Sequence, residues 1–236
     1  MKRSPVTNKK LGFNTKAVRS GTFRSKAGEH SEALFLTSSF IFESSQQASD
    51  RFDGADNGMV YSRFTNPSVQ MFEERLAALE DGESCLATAS GMSAILSLCL
   101  TFLKSGDEIL TTYSLFGATI QLFENILKKF GVSIKYVSLI ELEEWKIEIT
   151  NNTKLIYLES PSNPLNQVVD LTELAKLAKK KRIISVVDNC LCSPALQKPL
   201  HHGVDLVLHS ATKFIDGQGR VMAGAIIGKK NLIEKI

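Results

Sequence analysis

The sequence predicts an α/β fold, a mainly parallel sheet flanked by helices and preceded by an extended N-terminal arm. Three observations carry this expectation. Short, continuous apolar runs at 183–187 and 206–208 have the character of strands covered on both faces. Helix-like segments alternate with such runs from residue 66 onward. Polar residues collect at the ends of the runs, where open α/β sheets bind their ligands.

The elements follow in order. Asn66 before Pro67 has the form of an N-cap with proline at the first helical position. Val69, Phe72, Leu76 and Leu79 then recur at helical spacing, and Asp81-Gly82 ends the helix. Residues 85–89 read as a strand, 91–102 as a largely buried helix and 108–112 as a strand. Residues 119–130 read as a helix ended by Gly131. The segment 132–137 alternates Val132, Ile134 and Tyr136 with polar residues, a strand pattern. Residues 155–158 form a buried strand. Asp170-Leu-Thr-Glu173 resembles a capping box, and its helix runs into Lys179-Lys-Lys-Arg182. Cations suit a helix C-terminus, so that basic run is a solvated helix end and not a binding patch. Residues 183–187, 206–208 and 221–227 are further strands.

Residues 1–60 are rich in Ser, Thr, Phe and Gly with little periodicity and read as the arm; residues 61–236 read as the folded domain. There is no internal repeat and no low-complexity segment. The last residues, 229–236, look like the start of a new helix, so part of the protein is expected to lie beyond them.

Composition excludes several classes. Of 236 residues, 43% are apolar and 22% charged, which is globular and not disordered, collagen-like or a disulfide scaffold. No apolar run approaches the ~18 residues of a membrane span. The net charge of +3, from 28 basic and 25 acidic residues, is too small and too mixed for a nucleic-acid partner. The basic first ten residues lack an apolar stretch behind them and read as a disordered lead-in, not an export signal, so a cytoplasmic location is expected. Cys85, Cys99, Cys190 and Cys192 sit in apolar runs and read as reduced core thiols. Cys190-x-Cys192 with His201, His202 and His209 lacks the usual metal-ligand spacing, and no metal is expected.

Four strand ends carry residues that do not belong in a plain core: Ser90-Gly91-Met92, Glu159-Ser-Pro-Ser-Asn-Pro164, Asp188-Asn189 and His209-Ser-Ala-Thr-Lys213. Asp188 closes an apolar run, where a carboxylate is costly unless partnered. Lys213 follows another; a lysine in a crowded, partly desolvated site can form an imine or act as a base. Gly91 allows close backbone approach, and the free N–H groups of a helix start suit a phosphate. Gly217-x-Gly219 with Gly224 looks like a nucleotide loop, but the following segment reads as strand, which excludes a Rossmann fingerprint. A phosphate cradle, an amine and a carboxylate in one pocket are the three requirements of pyridoxal phosphate.

Five ordered stretches then resemble the transsulfuration (Cys/Met metabolism) family of pyridoxal-phosphate enzymes. They are Tyr61-Ser-Arg-Phe-Thr-Asn-Pro67, Ala89-Ser-Gly-Met-Ser-Ala94, Glu159-Ser-Pro-Ser-Asn-Pro164, Val187-Asp-Asn189 and His209-Ser-Ala-Thr-Lys-Phe214. The resemblance covers about residue 13 to the end and implies a fold-type I PLP-dependent transferase-like architecture. It implies that Lys213 forms the imine with the cofactor and moves protons. Asp188 would pair with the ring nitrogen. The amides of Gly91 and Met92 and the hydroxyls of Ser210 and Thr212 would bind the phosphate. Tyr61 and Arg63 would reach the phosphate of a neighbouring subunit, giving a homodimer or homotetramer with shared sites. Asn163 would lie near the cofactor's 3′-oxygen and the substrate carboxylate. Phe116 stands where most members have a tyrosine; it can stack on the ring but cannot carry a proton.

Leu115-Phe-Gly-Ala-Thr-Ile-Gln-Leu-Phe123 and Asp216-Gly-Gln-Gly-Arg220 resemble the O-succinylhomoserine sulfhydrylase subgroup. The implied reaction is γ-replacement, an O-acylhomoserine and sulfide giving homocysteine for methionine biosynthesis. The alternatives are a cystathionine γ-synthase, a γ-lyase or a cofactor-binding module without activity. The resemblance also implies a C-terminal domain, with an arginine for the substrate carboxylate, beyond Ile236; residues 61–236 are then an incomplete cofactor domain, expected to be inactive alone.

Overall fold

The computed structural model describes residues 2–3 and 11–236. Most of the basic lead-in read at residues 1–10 therefore lies outside the described residues. Contacts divide the chain into two compact units, Met1–Leu76 and Ala77–Ile236.

In the first unit β1 (Lys2–Arg3) pairs antiparallel with β2 (Phe23–Arg24), with α1 (Phe13–Arg19) between them in sequence. The segment expected to be extended also carries α2 (Ser45–Phe52), whose N-cap Ser44 accepts the N–H of Gln47. Then α3 (Pro67–Glu80) begins at the expected residue: Asn66 Oδ1 accepts the Ser68 N–H at 2.8 Å. Arg75 donates to Ser20 O at 2.9 Å and pairs with Glu32, tying the loop that follows α1 to α3. Gly21, at φ +72°, is required there, because a Cβ would meet Met71 O at 2.6 Å. Val69, expected on the buried face of α3, is exposed; Pro67, Met71, Leu76, Ala77 and Glu80 are the buried residues.

The second unit is a seven-stranded sheet. Its members are β3 (Ser84–Thr88), β4 (Glu108–Thr112), β5 (Ser133–Val137), β6 (Thr153–Glu159), β7 (Ile184–Asp188), β8 (Leu206–Ser210) and β9 (Gly224–Gly228), in the order β3-β9-β8-β7-β6-β4-β5. Six strands run one way. Only β9 is reversed, inserted antiparallel between β3 and β8. The strand expected over 221–227 is therefore shorter, beginning at Gly224, and opposite in direction.

Helices α4 (Gly91–Phe102), α5 (Gly117–Asn125), α6 (Leu142–Glu148) and α7 (Leu171–Lys181) connect the strands. The single helix expected over 119–130 is broken: α5 stops at Asn125, and residues 127–130 form a 3₁₀ turn closed by Gly131 at φ +79°. α6 was not anticipated. It buries Trp145, the chain's one tryptophan, whose Nε1–H donates to Ser138 O at 2.9 Å. The α7 cap forms as read for Asp170, which accepts from Thr172 and Glu173 N–H, but the Glu173 side chain pairs with Lys176 instead of returning to the cap. Lys179, Lys180 and Lys181 are exposed in its last turn.

Strand alternation divides the core. Ile109, Leu155, Tyr157, Val186, Leu206 and Leu208 pack with α4 residues Ala94, Ile95 and Leu98. Leu110, Ile156, Leu158 and Val187 pack with Trp145 and with Leu171, Leu174 and Ala178 of α7. Because successive residues of a strand face opposite ways, these are the two faces of one sheet. Two cysteines depart from the core reading: Cys85 and Cys99 are buried, but Cys190 and Cys192, in the turn after β7, are only partly so.

Candidate functional site

The same alternation aims the site. Glu159, Asp188 and Ser210 end β6, β7 and β8 in phase with Tyr157, Val186 and Leu208, so all three lie on the α4 face. Glu159 and Asp188 are paired positions on neighbouring strands. Beyond these ends lies a cavity of about 550 Å³. Its lining unites eight of the residues singled out from sequence: Gly91, Met92, Phe116, Asn163, Asp188, Ser210, Thr212 and Lys213. The lining comes wholly from the unit Ala77–Ile236. Tyr61 and Arg63 belong to the other unit, where the Arg63 guanidinium lies 5.4 Å from the Tyr61 ring and 4.9 Å from that of Phe64.

One wall is the start of α4. Ser90 caps it, accepting from Ser93 N–H, while the Ser93 hydroxyl accepts from Ser90 N–H. That reciprocal box uses the third N–H of the helix and leaves those of Gly91 and Met92 without intrahelical partners. A Cβ on Gly91 would sit 2.9 Å from the Cβ of Ser210, so only glycine lets the helix start reach the end of β8. The two free amides and the Ser210 side chain thus line one concavity suited to an anion. Thr212 differs from the sequence reading: its hydroxyl accepts from Ala223 N–H at 3.0 Å and donates to Ala223 O at 3.3 Å, which fastens the approach to β9.

Asp188 forms part of the floor. Its Oδ1 accepts the Cys190 N–H at 3.0 Å and its Oδ2 the Tyr157 hydroxyl at 3.3 Å. Burial pushes its carboxyl above the ordinary range, against the hydrogen bonds from Cys190 and the influence of His209. Burial beside Asp188 also raises the Tyr157 hydroxyl and the Cys190 thiol. Lys213, expected in a crowded, desolvated setting, is exposed on the open side of the cavity. Among the described residues its amine has no ion-pair partner. Phe116, about half exposed, and the exposed Asn163 flank the mouth.

Among the lining residues that sequence reasoning gave no role are three with polar or thiol groups. Thr119 is buried, and its hydroxyl has no hydrogen-bond partner among the described residues. Cys190 accepts Ser210 N–H at its sulfur, 2.7 Å away. Glu159, quoted only as part of a motif, is 6% exposed, and its Oε1 accepts Phe116 N–H at 2.7 Å. Behind the floor, on the other face, His209 Nε2 lies 2.6 Å from Glu80 Oε1, which also accepts from Asn189 Nδ2 at 3.0 Å. His209 is therefore a buried structural partner of Glu80.

An anion cradle, a solvent-facing amine and a buried carboxylate with spare acceptor capacity are the set that a phosphorylated pyridine aldehyde needs. The unpartnered Thr119 hydroxyl and the glycine-only approach at Gly91 fit it too. Comparison with known proteins agrees. The sequence matches the family model described as Cys/Met metabolism PLP-dependent enzyme over residues 14–236. It is 51% identical over 224 residues to an O-succinylhomoserine sulfhydrylase of Pseudomonas aeruginosa, covering 95% of this chain and 56% of that protein. It is 41% identical to an L-methionine gamma-lyase of Fusobacterium nucleatum, covering 98% and 59%. The fold superposes on a proposed O-acetylhomoserine (thiol)-lyase of Campylobacter jejuni whose structure contains a pyridoxyl-lysine phosphate, with a TM-score of 0.90 at 32% identity over 95% of this chain and 55% of that one. The chain thus spans a little over half the length of these relatives.

Proposed function

The chain belongs to the Cys/Met metabolism PLP-dependent enzyme family, and from that premise we propose that the protein catalyses γ-replacement on an O-acylhomoserine, with O-succinylhomoserine as substrate, succinate leaving from Cγ and sulfide taking its place, yielding homocysteine. The observation that carries the enzymatic reading is the single cavity joining Lys213, Asp188 and the start of α4. The choice of succinyl leaving group and sulfide rests on the 51% identity to an O-succinylhomoserine sulfhydrylase.

Pyridoxal phosphate, when bound, supplies an electron sink for charge developing at the substrate α-carbon. The chain's residues do the rest. The N–H groups of Gly91 and Met92 and the Ser210 hydroxyl hold the phosphate, with Thr212 joining if its hydroxyl turns from Ala223. The Asp188 carboxylate holds the ring N–H, and the Phe116 ring gives a flat apolar wall. Lys213 anchors the cofactor and takes and returns protons at the substrate carbons; with phenylalanine at 116, no aromatic hydroxyl stands there to share that work. Asn163 at the mouth orients the substrate carboxylate. Tyr61 and Arg63 serve the phosphate site of a second copy.

A second reading, γ-elimination, is favoured by the 41% identity to an L-methionine gamma-lyase. The two separate in one assay on the purified, cofactor-loaded complete enzyme. With O-succinylhomoserine, γ-replacement gives sulfide-dependent homocysteine, whereas elimination gives a 2-oxo acid and ammonia without sulfide. Sulfide-independent 2-oxo acid as the main product contradicts the proposal.

A further inference from the structure

Two carboxyl groups end neighbouring strands on the same face of the sheet, and both line the cavity. Only one is accounted for by the proposed function. Asp188 is the more exposed of the two, half-buried at the cavity floor, and accepts from the Cys190 main chain and from Tyr157. Glu159 is nearly sealed from water, and its Oε1 is committed to the N–H of Phe116. Two like charges this close, in a site shielded from water, are costly together, and a shared proton relieves the cost.

We propose that Glu159 and Asp188 form an unequal carboxyl pair, in which Glu159 keeps a proton on Oε2 while its Oε1 anchors Phe116, and Asp188 carries the single negative charge of the cavity floor. Glu159 is thereby a positioning residue. It sets the aromatic wall through the Phe116 main chain, and by staying neutral it leaves Asp188 as the one anion that a ring N–H meets. For its consequence the inference rests on the cofactor reading of this cavity; the pair itself does not.

The surroundings agree. Burial first, and the Asp188 charge second, raise the Glu159 carboxyl to about 7, against the main-chain groups of Phe116 and Asn163. From its own strand Glu159 faces Tyr157, and from the end of β7 it faces Asp188 and Cys190. From β8, His209 acts on Asp188, and Lys213 lines the same cavity. On the other side β4 ends in Thr111 and Thr112, which do not titrate, followed by Tyr113, stacked on Tyr136 at 4.3 Å.

The test uses the cofactor-free protein and infrared spectroscopy of protonated carboxyl groups across pH. The wild type should show one such group that ionises at about pH 7. Glu159→Gln should lack it. Asp188→Asn should keep it but move its ionisation down by about one unit or more, because a neighbouring negative charge has gone. A second arm measures pyridoxal phosphate affinity. Glu159→Gln retains an acceptor for Phe116 N–H and should bind roughly tenfold more tightly than Glu159→Ala, which retains none. A band that survives in Glu159→Gln, or one unmoved by Asp188→Asn, overturns the pair. Equal affinity of the Gln and Ala variants overturns the anchor. If the band behaves as stated but no form of the protein binds the cofactor, the pair stands and the cofactor reading falls.

Discussion

At the ends of β7 and β8 the two faces of the sheet treat polar residues in opposite ways. On the α4 face, Asp188 and Ser210 look into a cavity where the Thr119 hydroxyl is unpartnered and the Lys213 amine faces solvent. One residue along each strand, Asn189 and His209 turn to the other face and are fully buried. There Asn189 bridges Glu80 and the Gln197 carbonyl, Gln197 returns a bond to Asn189 at 2.9 Å, and His209 meets Glu80. Buried polar groups ordinarily find partners within the protein. The open face leaves its polar groups around a cavity, whereas the closed face ties Asn189 and His209 together through Glu80 Oε1, with Glu80 Oε2 and His209 Nδ1 unpartnered among the described residues. The division of labour makes separable predictions.

The largest effect is on the open face. Asp188→Asn removes the negative charge while preserving shape. It should lower turnover of the complete enzyme by roughly 10²–10³-fold, with cofactor still bound and the unfolding midpoint little changed. Near-normal turnover would remove Asp188 from the role of ring partner.

The closed face should respond in stability. Glu80→Ala strands His209 in a dry interior and removes one of the two acceptors of Asn189 Nδ2, and should cost about 3 kcal/mol in urea unfolding. A loss below about 1 kcal/mol would mean that the cluster is not holding the strand ends.

The pH dependence divides the faces again. The Glu159 carboxyl is raised from an ordinary 4.5 to about 7 in the folded protein. Between those values the folded state binds more protons than the unfolded one, so stability falls as pH rises through the window. The full difference, on the order of 3 kcal/mol, is reached above pH 7. Denaturant titrations at several pH values should show this slope in the wild type and its loss in Glu159→Gln. An identical slope in both would assign the dependence elsewhere.

The smallest effect is Ser90→Ala, which removes one side of the reciprocal cap of α4 and should cost about 1 kcal/mol. It should also loosen phosphate binding several-fold, since the amides of Gly91 and Met92 lose their fixed direction. Unchanged affinity would show that the start of α4 is held by its packing alone.

The open face was far more legible in the sequence than the closed one. A carboxylate ending an apolar run, a lysine after another and a glycine opening a helix each break a local rule, so Asp188, Lys213 and Gly91 stood out. Glu80 breaks no local rule, and His209 stood out only as part of a strand-end motif. They are 129 positions apart, and nothing in either neighbourhood announces the other. Glu159 was visible as a letter, but its burial beside Asp188 depends on strand order, which periodicity does not carry. The reversed β9 was missed for the same reason, since alternation gives a strand's faces and not its direction. The seven-residue α6 was too short for a helical repeat to show, and Trp145 holds it by packing rather than by pattern.

The most direct test of the central claim, that the open face is a pyridoxal phosphate site built on Lys213, is borohydride reduction of the cofactor-loaded protein followed by peptide mapping. The account predicts a stable pyridoxyl label on Lys213 and none in a folded Lys213→Ala variant. A label on a different lysine, or no label in folded protein saturated with the cofactor, would contradict it.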